Sequence, residues 1–251
     1  MPFLADAAGP EDMRIYAIGD VHGRLDLLRE THARIAVDIV RRPCRHFRVI
    51  HLGDYIDRGP DSAGVVEHLI EFCRDGDAVC LAGNHDLYLL KFLDAPAEIG
   101  ATWLDNGGDA ALASWGIGVY DAELRAKPTK ALRDAFAAAL PLRHRVFFEN
   151  LAIHERHGDF LFVHAGVRPG VTLEKQKKAD LTFIREPFLS SEADHGFVVI
   201  HGHTAGSRPV IRPNRVCIDT RAYASGVLTC FVVDGAAKGF LTPDGYAPLA
   251  V

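Results

Sequence analysis

The sequence predicts an α/β fold in which two sheets face one another and helices cover their outer sides. Three observations carry that expectation. Short apolar runs alternate three times with helical patterns between residues 14 and 93, as in parallel sheets covered by helices. After residue 150 strand-like runs dominate instead. No linker between the halves is long or polar enough to separate them into independent domains, so residues 13–251 read as one domain, preceded by a flexible extension at 1–12.

Residues 14–18 form the first strand, which ends in Gly19-Asp20-Val21-His22-Gly23. Leu25, Leu28, His32, Ile35 and Ile39 then recur at helical spacing. A second strand at 47–52 delivers Gly53-Asp54-Tyr55-Ile56-Asp57-Arg58-Gly59, and Pro60-Asp61-Ser62 caps a helix with Val65, Val66, Leu69, Ile70 and Cys73 on one face. A third strand at 78–82 ends in Gly83-Asn84-His85-Asp86, with helix at 87–93. The polar motifs return about every 30 residues, one βαβ unit each. All three fall where strands meet the following loops, the usual place for sites in such sheets.

Residues 96–147 read as helical. A turn is expected at Asn106-Gly107-Gly108, and a later helix carries Leu132, Phe136, Ala139 and Leu140 before Pro141 stops it. This section is expected to cover a flank of the sheet and help shape the site, and to carry no chemistry of its own. Beyond it, strands at 151–156 and 160–163 form a hairpin through His157-Gly158-Asp159, and the second ends in His164-Ala165-Gly166. Further strands are expected at 197–200, before His201-Gly202-His203-Thr204, and at 216–219, 227–233 and 238–241.

The net charge of −5 argues against a nucleic-acid or anionic-membrane partner, whose binders carry a basic footprint. No apolar run approaches the roughly 18 residues of a membrane span, and residues 1–12 lack the pattern of a secretory signal. Cys44, Cys73, Cys80, Cys217 and Cys230 are odd in number and form no CxxC pair. They are read as buried thiols in a reducing cytoplasm.

The strand-end residues Asp20, His22, Asp54, Asn84, His164 and His203 form a set of carboxylate, imidazole and amide donors suited to Mn, Fe or Zn. Six donors are too many for one ion that must also admit substrate. They suit two divalent ions sharing a carboxylate, with Asp54 the natural bridge, and such a pair can clamp a phosphoryl group. His85 adjoins Asn84 and could protonate a leaving oxygen, with Asp57 to orient it. Arg58, and a second guanidinium from Arg185, could grip phosphate oxygens. Spacing leaves His201 and His203 in competition, since residues two apart on a strand share a face. His51, in the strand before Asp54, is read as structural or as supporting a ligand; His32, His46, His68, His144, His154, His157 and His195 are read as ordinary.

GDVHG, GDYIDRG, GNHD, HAG and GHT, in this order and over about residues 14 to 229, resemble the phosphoprotein phosphatases within the calcineurin-like metallophosphoesterases, nearest the small bacterial and bacteriophage lambda phosphatase type. The resemblance implies a mixed α/β, four-layer αββα sandwich around a dinuclear, often manganese-activated, centre. It places Asp20, His22 and Asp54 on one metal and Asp54, Asn84, His164 and His203 on the other, the GHT match choosing His203. It makes His85 the general acid, Asp57 its partner, and Arg58 and Arg185 the phosphate clamp, the last through the match of Phe183-Ile184-Arg185-Glu186 to a W-x-R-E segment. The activity implied is that of a metal-dependent, serine/threonine-type phosphoprotein phosphatase, which hydrolyses phosphomonoesters on phosphorylated proteins or small phosphoesters through a dimetal-bound hydroxide.

Of two departures from the family pattern, the first opens an alternative, hydrolysis of diadenosine tetraphosphate or another dinucleoside polyphosphate at the same dimetal centre. Asp86 stands where phosphoprotein phosphatases usually have Glu, as in bacterial diadenosine tetraphosphate hydrolases; those hydrolases, however, typically have Ala at the position of Asp57. Arg221 replaces the Gly of a DTGA segment, where it reads either an anionic substrate or solvent.

Overall fold

The computed structural model describes residues 3–119 and 130–249. Eleven strands are defined among them: β1 (Met13–Ile18), β2 (His46–His51), β3 (Ala78–Cys80), β4 (His154–His157), β5 (Phe160–Val163), β6 (Val198–His201), β7 (Val210–Arg212), β8 (Arg215–Cys217), β9 (Cys230–Asp234), β10 (Ala237–Thr242) and β11 (Gly245–Pro248). They form a six-stranded sheet, β11-β10-β9-β1-β2-β3, and a five-stranded sheet, β4-β5-β6-β8-β7. In the first, β1, β2 and β3 run parallel while β9 to β11 are antiparallel; in the second, β5, β6 and β8 run parallel.

The two-residue period of each strand builds the layers. Along β1, Tyr16 and Ile18 join the helices on the outer face, and Ile15 and Ala17 face the second sheet. Along β5, Phe160 and Phe162 meet that inter-sheet core, while Leu161 and Val163 pack outward with Leu181 and Phe188. Each fully buried Ile, Leu, Val or Phe among them contributes about 1.5–3 kcal/mol. Layers follow in the order helices, sheet, sheet, outer helix and loops.

Against the first sheet lie α1 (Leu25–Arg41), α2 (Ser62–Phe72) and α3 (Asn84–Asp94), followed by α4 (Pro96–Trp103), α5 (Asp109–Ser114), α6 (Lys130–Ala139) and α7 (Leu142–Glu149). On the outer side of the second sheet is α8 (Lys178–Phe183), and α9 (Ala222–Ser225) follows β8. As expected, Asp61 caps α2, its Oδ1 accepting from Gly64 N at 2.8 Å. None of the described helices is long and apolar enough to cross a membrane.

Some local expectations are corrected. Residues 3–12 are packed rather than loose. Leu4 and Ala7 are buried in the inter-sheet core, and Lys238 Nζ donates to the carbonyls of Leu4, Ala5 and Ala7 at 2.9, 3.1 and 2.8 Å. That cation, on a strand far along the chain, could not be paired with the segment by local pattern. The hairpin strand starts at His154, not 151, because Ala152 makes only an isolated bridge to Leu81. β7 and β11 lack a buried alternating face and went unread. At 104–108 the helix widens into a π-turn around Gly107, whose φ of 101° suits only a residue without a Cβ.

Candidate metal centre

The parallel strands of both sheets point their carboxyl ends at one place. From the first sheet come Asp20 and His22 after β1, Asp54 after β2, and Asn84 at the start of α3; from the second come His164 after β5 and His203 after β6. All six are buried.

The loops that carry them are stitched together by backbone. Val21 N and His22 N donate to the Asp54 carbonyl at 3.1 and 2.8 Å. The Asp86 carboxylate, in the first turn of α3, accepts from Asp54 N, Tyr55 N and Gly83 N at 2.9, 3.1 and 2.9 Å. Asp86 therefore ties the GNHD and GDYIDRG loops to each other. Close approach requires glycine at several points in these loops, among them Gly83, where a Cβ would stand 2.1 Å from Asp54 Oδ1, and Gly202, where one would stand 1.9 Å from Asp20 Oδ1.

The donor atoms converge. His164 Nε2 lies 3.0 Å from Asn84 Oδ1 and 3.4 Å from Asp54 Oδ1, and His203 Nδ1 lies 2.8 Å from Asn84 Oδ1. His22 Nε2 is 3.6 Å from Asp54 Oδ2, so Asp54 stands between the two groups of imidazoles. His22 and His164 each donate Nδ1–H to a carbonyl, of Ile56 at 2.7 Å and Leu52 at 2.8 Å. That bond fixes the tautomer and leaves the Nε2 lone pair facing inward. Asp20 accepts from His203 N at 3.0 Å. His201 turns away, its ring against Phe188 and its Nδ1 beside the Gly202 carbonyl at 3.0 Å.

Burial holds the imidazoles neutral, His22 and His203 each at about 3, and also lowers His164. For Asp54 burial pushes upward, but the rings of His164, His85 and His22 outweigh it and hold the carboxyl below its ordinary range. Asp20 is driven well above that range by burial, then by Asp219 and Asp54. Like charges crowded beside neutral nitrogens whose lone pairs face one another need cations between them. The donor set fits divalent ions, and groups built on Asp54 bring their ligating atoms within 4.8 Å of each other on both sides of it.

Next to this cluster stands a dyad. His85 Nδ1 lies 2.5 Å from Asp57 Oδ2, and Trp103 Nε1 donates to both oxygens of Asp57 at 3.0 Å. Burial pushes Asp57 up to about 6, against the pull of the His85 and Trp103 hydrogen bonds. Burial also disfavours a charged His85, yet Asp54 and Asp57 prevail and its proton is held more tightly than usual. Arg58 reaches across, its two Nη atoms 2.9 Å from His22 Nε2 and 3.0 Å from His85 Nε2. Its amide donates to the Gly107 carbonyl at 3.1 Å. Arg185 touches the opposite wall, where Nη2 donates to the His203 carbonyl at 3.4 Å. The exposed Arg221 has its amide tied to Asp219 Oδ1 at 2.9 Å.

The middle section helps shape the site, as expected, and does so through two specific bonds, from Trp103 to Asp57 and from the Arg58 amide to Gly107. Tyr223 is a second residue that sequence reasoning missed; its ring lies 4.9 Å from the Arg58 guanidinium and edge-on to His22. Nothing in the local pattern marks either aromatic, since both act across long separations.

The profile of calcineurin-like phosphoesterases matches residues 13–227. The chain belongs to that family. It is 31% identical to serine/threonine-protein phosphatase 1 of Salmonella typhimurium over 224 residues, 86% of this chain and 89% of that one. It is 24% identical to the asymmetrical bis(5'-nucleosyl)-tetraphosphatase PrpE of Oceanobacillus iheyensis over 237 residues, covering 87% and 88%. Among solved structures a cold-active protein tyrosine phosphatase superposes with a TM-score of 0.63 at 15% identity, over 98% of this chain and 82% of that one; at that identity the likeness concerns the fold. The chain is therefore a phosphoester-hydrolysing enzyme of a family that uses a dimetal centre.

Proposed function

We propose that this calcineurin-like phosphoesterase removes phosphate from phosphorylated proteins, with two Mn ions held by Asp20, His22, Asp54, Asn84, His164 and His203. The ions, when bound, acidify water and draw charge from the phosphoryl oxygens. Arg58 and Arg185 bind and orient those oxygens. His85 gives its proton to the leaving oxygen, and Asp57, kept ionised by Trp103, favours the protonated ring.

The observation that carries the reading is the Trp103–Asp57–His85 chain beside the inward-facing donors. A positioned acid is needed when the leaving group is a poor one, such as a serine or threonine alkoxide. The free state of all five thiols supports a reducing cytoplasm as the setting.

Asp86 and the tetraphosphatase relative favour a second reading, hydrolysis of a dinucleoside polyphosphate at the same centre. Comparing kcat/KM on a phosphoserine peptide and on diadenosine tetraphosphate, each with Mn, separates the two. A peptide preference is expected; a tetraphosphate preference of tenfold or more overturns the first reading in favour of the second.

A further inference from the structure

Away from the candidate centre, His51 at the end of β2, Cys73 at the C-terminus of α2 and Cys80 at the end of β3 bring three ligating atoms within 4.8 Å of each other. We propose that these three side chains form a separate, thiolate-rich site for a borderline-soft divalent ion of the zinc class.

Geometry supports it. Cys73 Sγ lies 3.6 Å from Cys80 Sγ, and Cys80 Sγ lies 3.7 Å from His51 Nδ1. With Zn–S at ~2.3 Å and Zn–N at ~2.0–2.1 Å, a tetrahedral site has S–S edges of about 3.8 Å and S–N edges of about 3.6 Å. The sulfurs are much farther apart than the ~2.05 Å of a disulfide. Two thiolates and an imidazole select zinc-like ions over the harder ions that suit the carboxylate-rich centre.

The surroundings fit a ligand role. His51 Nε2 lies 2.9 Å from His32 Nε2, and His32 Nδ1 lies 2.9 Å from His68 Nε2, with His32 stacked on Phe72. This imidazole chain fixes the His51 ring in the way the hydrogen-bonded partners of metal-bound histidines do. Burial keeps His51 neutral at neutral pH, the form that ligates. Cys73 is the thiol held more acidic, through its hydrogen bond with Cys80.

His51 Nδ1 also lies 3.1 Å from the Val79 carbonyl. An ion takes that bond's place: His51 gives its Nδ1 proton to water and takes one at Nε2 from His32, His32 takes one from His68, and water returns a proton to the Nδ1 of the half-buried His68. Val79, Cys73 and Cys80 all line a cavity of about 910 Å³ that also meets Leu142, Val146 and Phe147. Water from the cavity can hydrate the freed carbonyl, accept the two thiol protons and fill the fourth coordination position.

The test uses the whole protein, saturated first with Mn and then titrated with Cd. One equivalent of Cd is expected to produce ultraviolet thiolate-to-metal absorption and to protect Cys73 from iodoacetamide, read by mass spectrometry. Alkylation of Cys44 should be unchanged. Cys73→Ser should reduce the absorption by about half or more and weaken Cd binding at least tenfold. Absence of the band in the wild-type protein, a band unaltered in Cys73→Ser, or undiminished Cys73 labelling each overturns the proposal. The labelling arm needs no variant, so it stands even if the substitution impairs folding.

Discussion

Replacing Trp103 by Phe removes one N–H and keeps a ring among Phe92 and Phe136. That N–H is shared between both oxygens of Asp57 at 3.0 Å. One hydrogen bond to a charged group amounts to ~1.5–3 kcal/mol, and at 1.36 kcal/mol per pH unit this is a change of at most ~1–2 units in the affinity of Asp57 for its proton. The sign follows from the dyad. Asp57 becomes harder to ionise, so a protonated His85 loses support and surrenders its proton at lower pH. The alkaline limb of kcat should move down by about one unit, reporting the pair rather than either residue. The assay is a pH profile in Mn with phenyl phosphate, whose leaving group needs a proton, and p-nitrophenyl phosphate, whose more acidic leaving group needs it less. The phenyl ester should show the larger loss. An unmoved limb, or equal losses on the two esters, would refute the coupling of Trp103 to proton donation.

Asp54→Asn and His85→Asn should separate binding from proton transfer. The first should lose bound metal on elemental analysis together with nearly all turnover; the second should keep the metal while kcat drops ~10²–10⁴-fold, as for loss of a general acid. Asp86→Ala leaves three buried N–H groups without their acceptor and should cost ~3–5 kcal/mol, or roughly 10 °C in Tm, by differential scanning calorimetry. The buried imidazoles predict an acid sensitivity. Burial holds His51 at about 4 and His32 at about 2, whereas both sit near 6.5 in the unfolded chain. Above pH 6.5 neither state is charged; below it the unfolded chain binds protons that the folded one refuses. Stability should then fall by up to ~1.4 kcal/mol per pH unit for each histidine, and urea midpoints that stay flat from pH 7 to 5 would contradict this.

What was legible in the sequence is what repeats locally. Apolar runs closed by Gly-Asp or Gly-Asn located β1, β2 and β3 and the donors that follow them, because strand ends and site residues coincide in such sheets. Spacing leaves His201 and His203 in competition and the GHT match chooses His203; in the structure His203 Nδ1 lies 2.8 Å from Asn84 Oδ1, while His201 packs against Phe188. Trp103, Tyr223 and the Lys238 anchor of residues 4–7 escaped. Each acts on a partner 46 to 234 residues away, or across another element, and leaves no trace in the pattern of its neighbours.

His22, Asp54, Asp57, Arg58 and His203 all have positive φ, between 44° and 73°, a conformation that disfavours side chains bearing a Cβ by ~1 kcal/mol or more each. Five such residues meet in one small volume, and glycine would relieve every one of them. Wherever that relief exceeds what the side chain's own buried hydrogen bonds contribute, selection for thermal tolerance alone would drift toward an inert protein. Persistence of these side chains in a lineage is thus a record of demand for turnover, and an evolved or designed variant that gains several degrees at these positions should be suspected of having lost its chemistry.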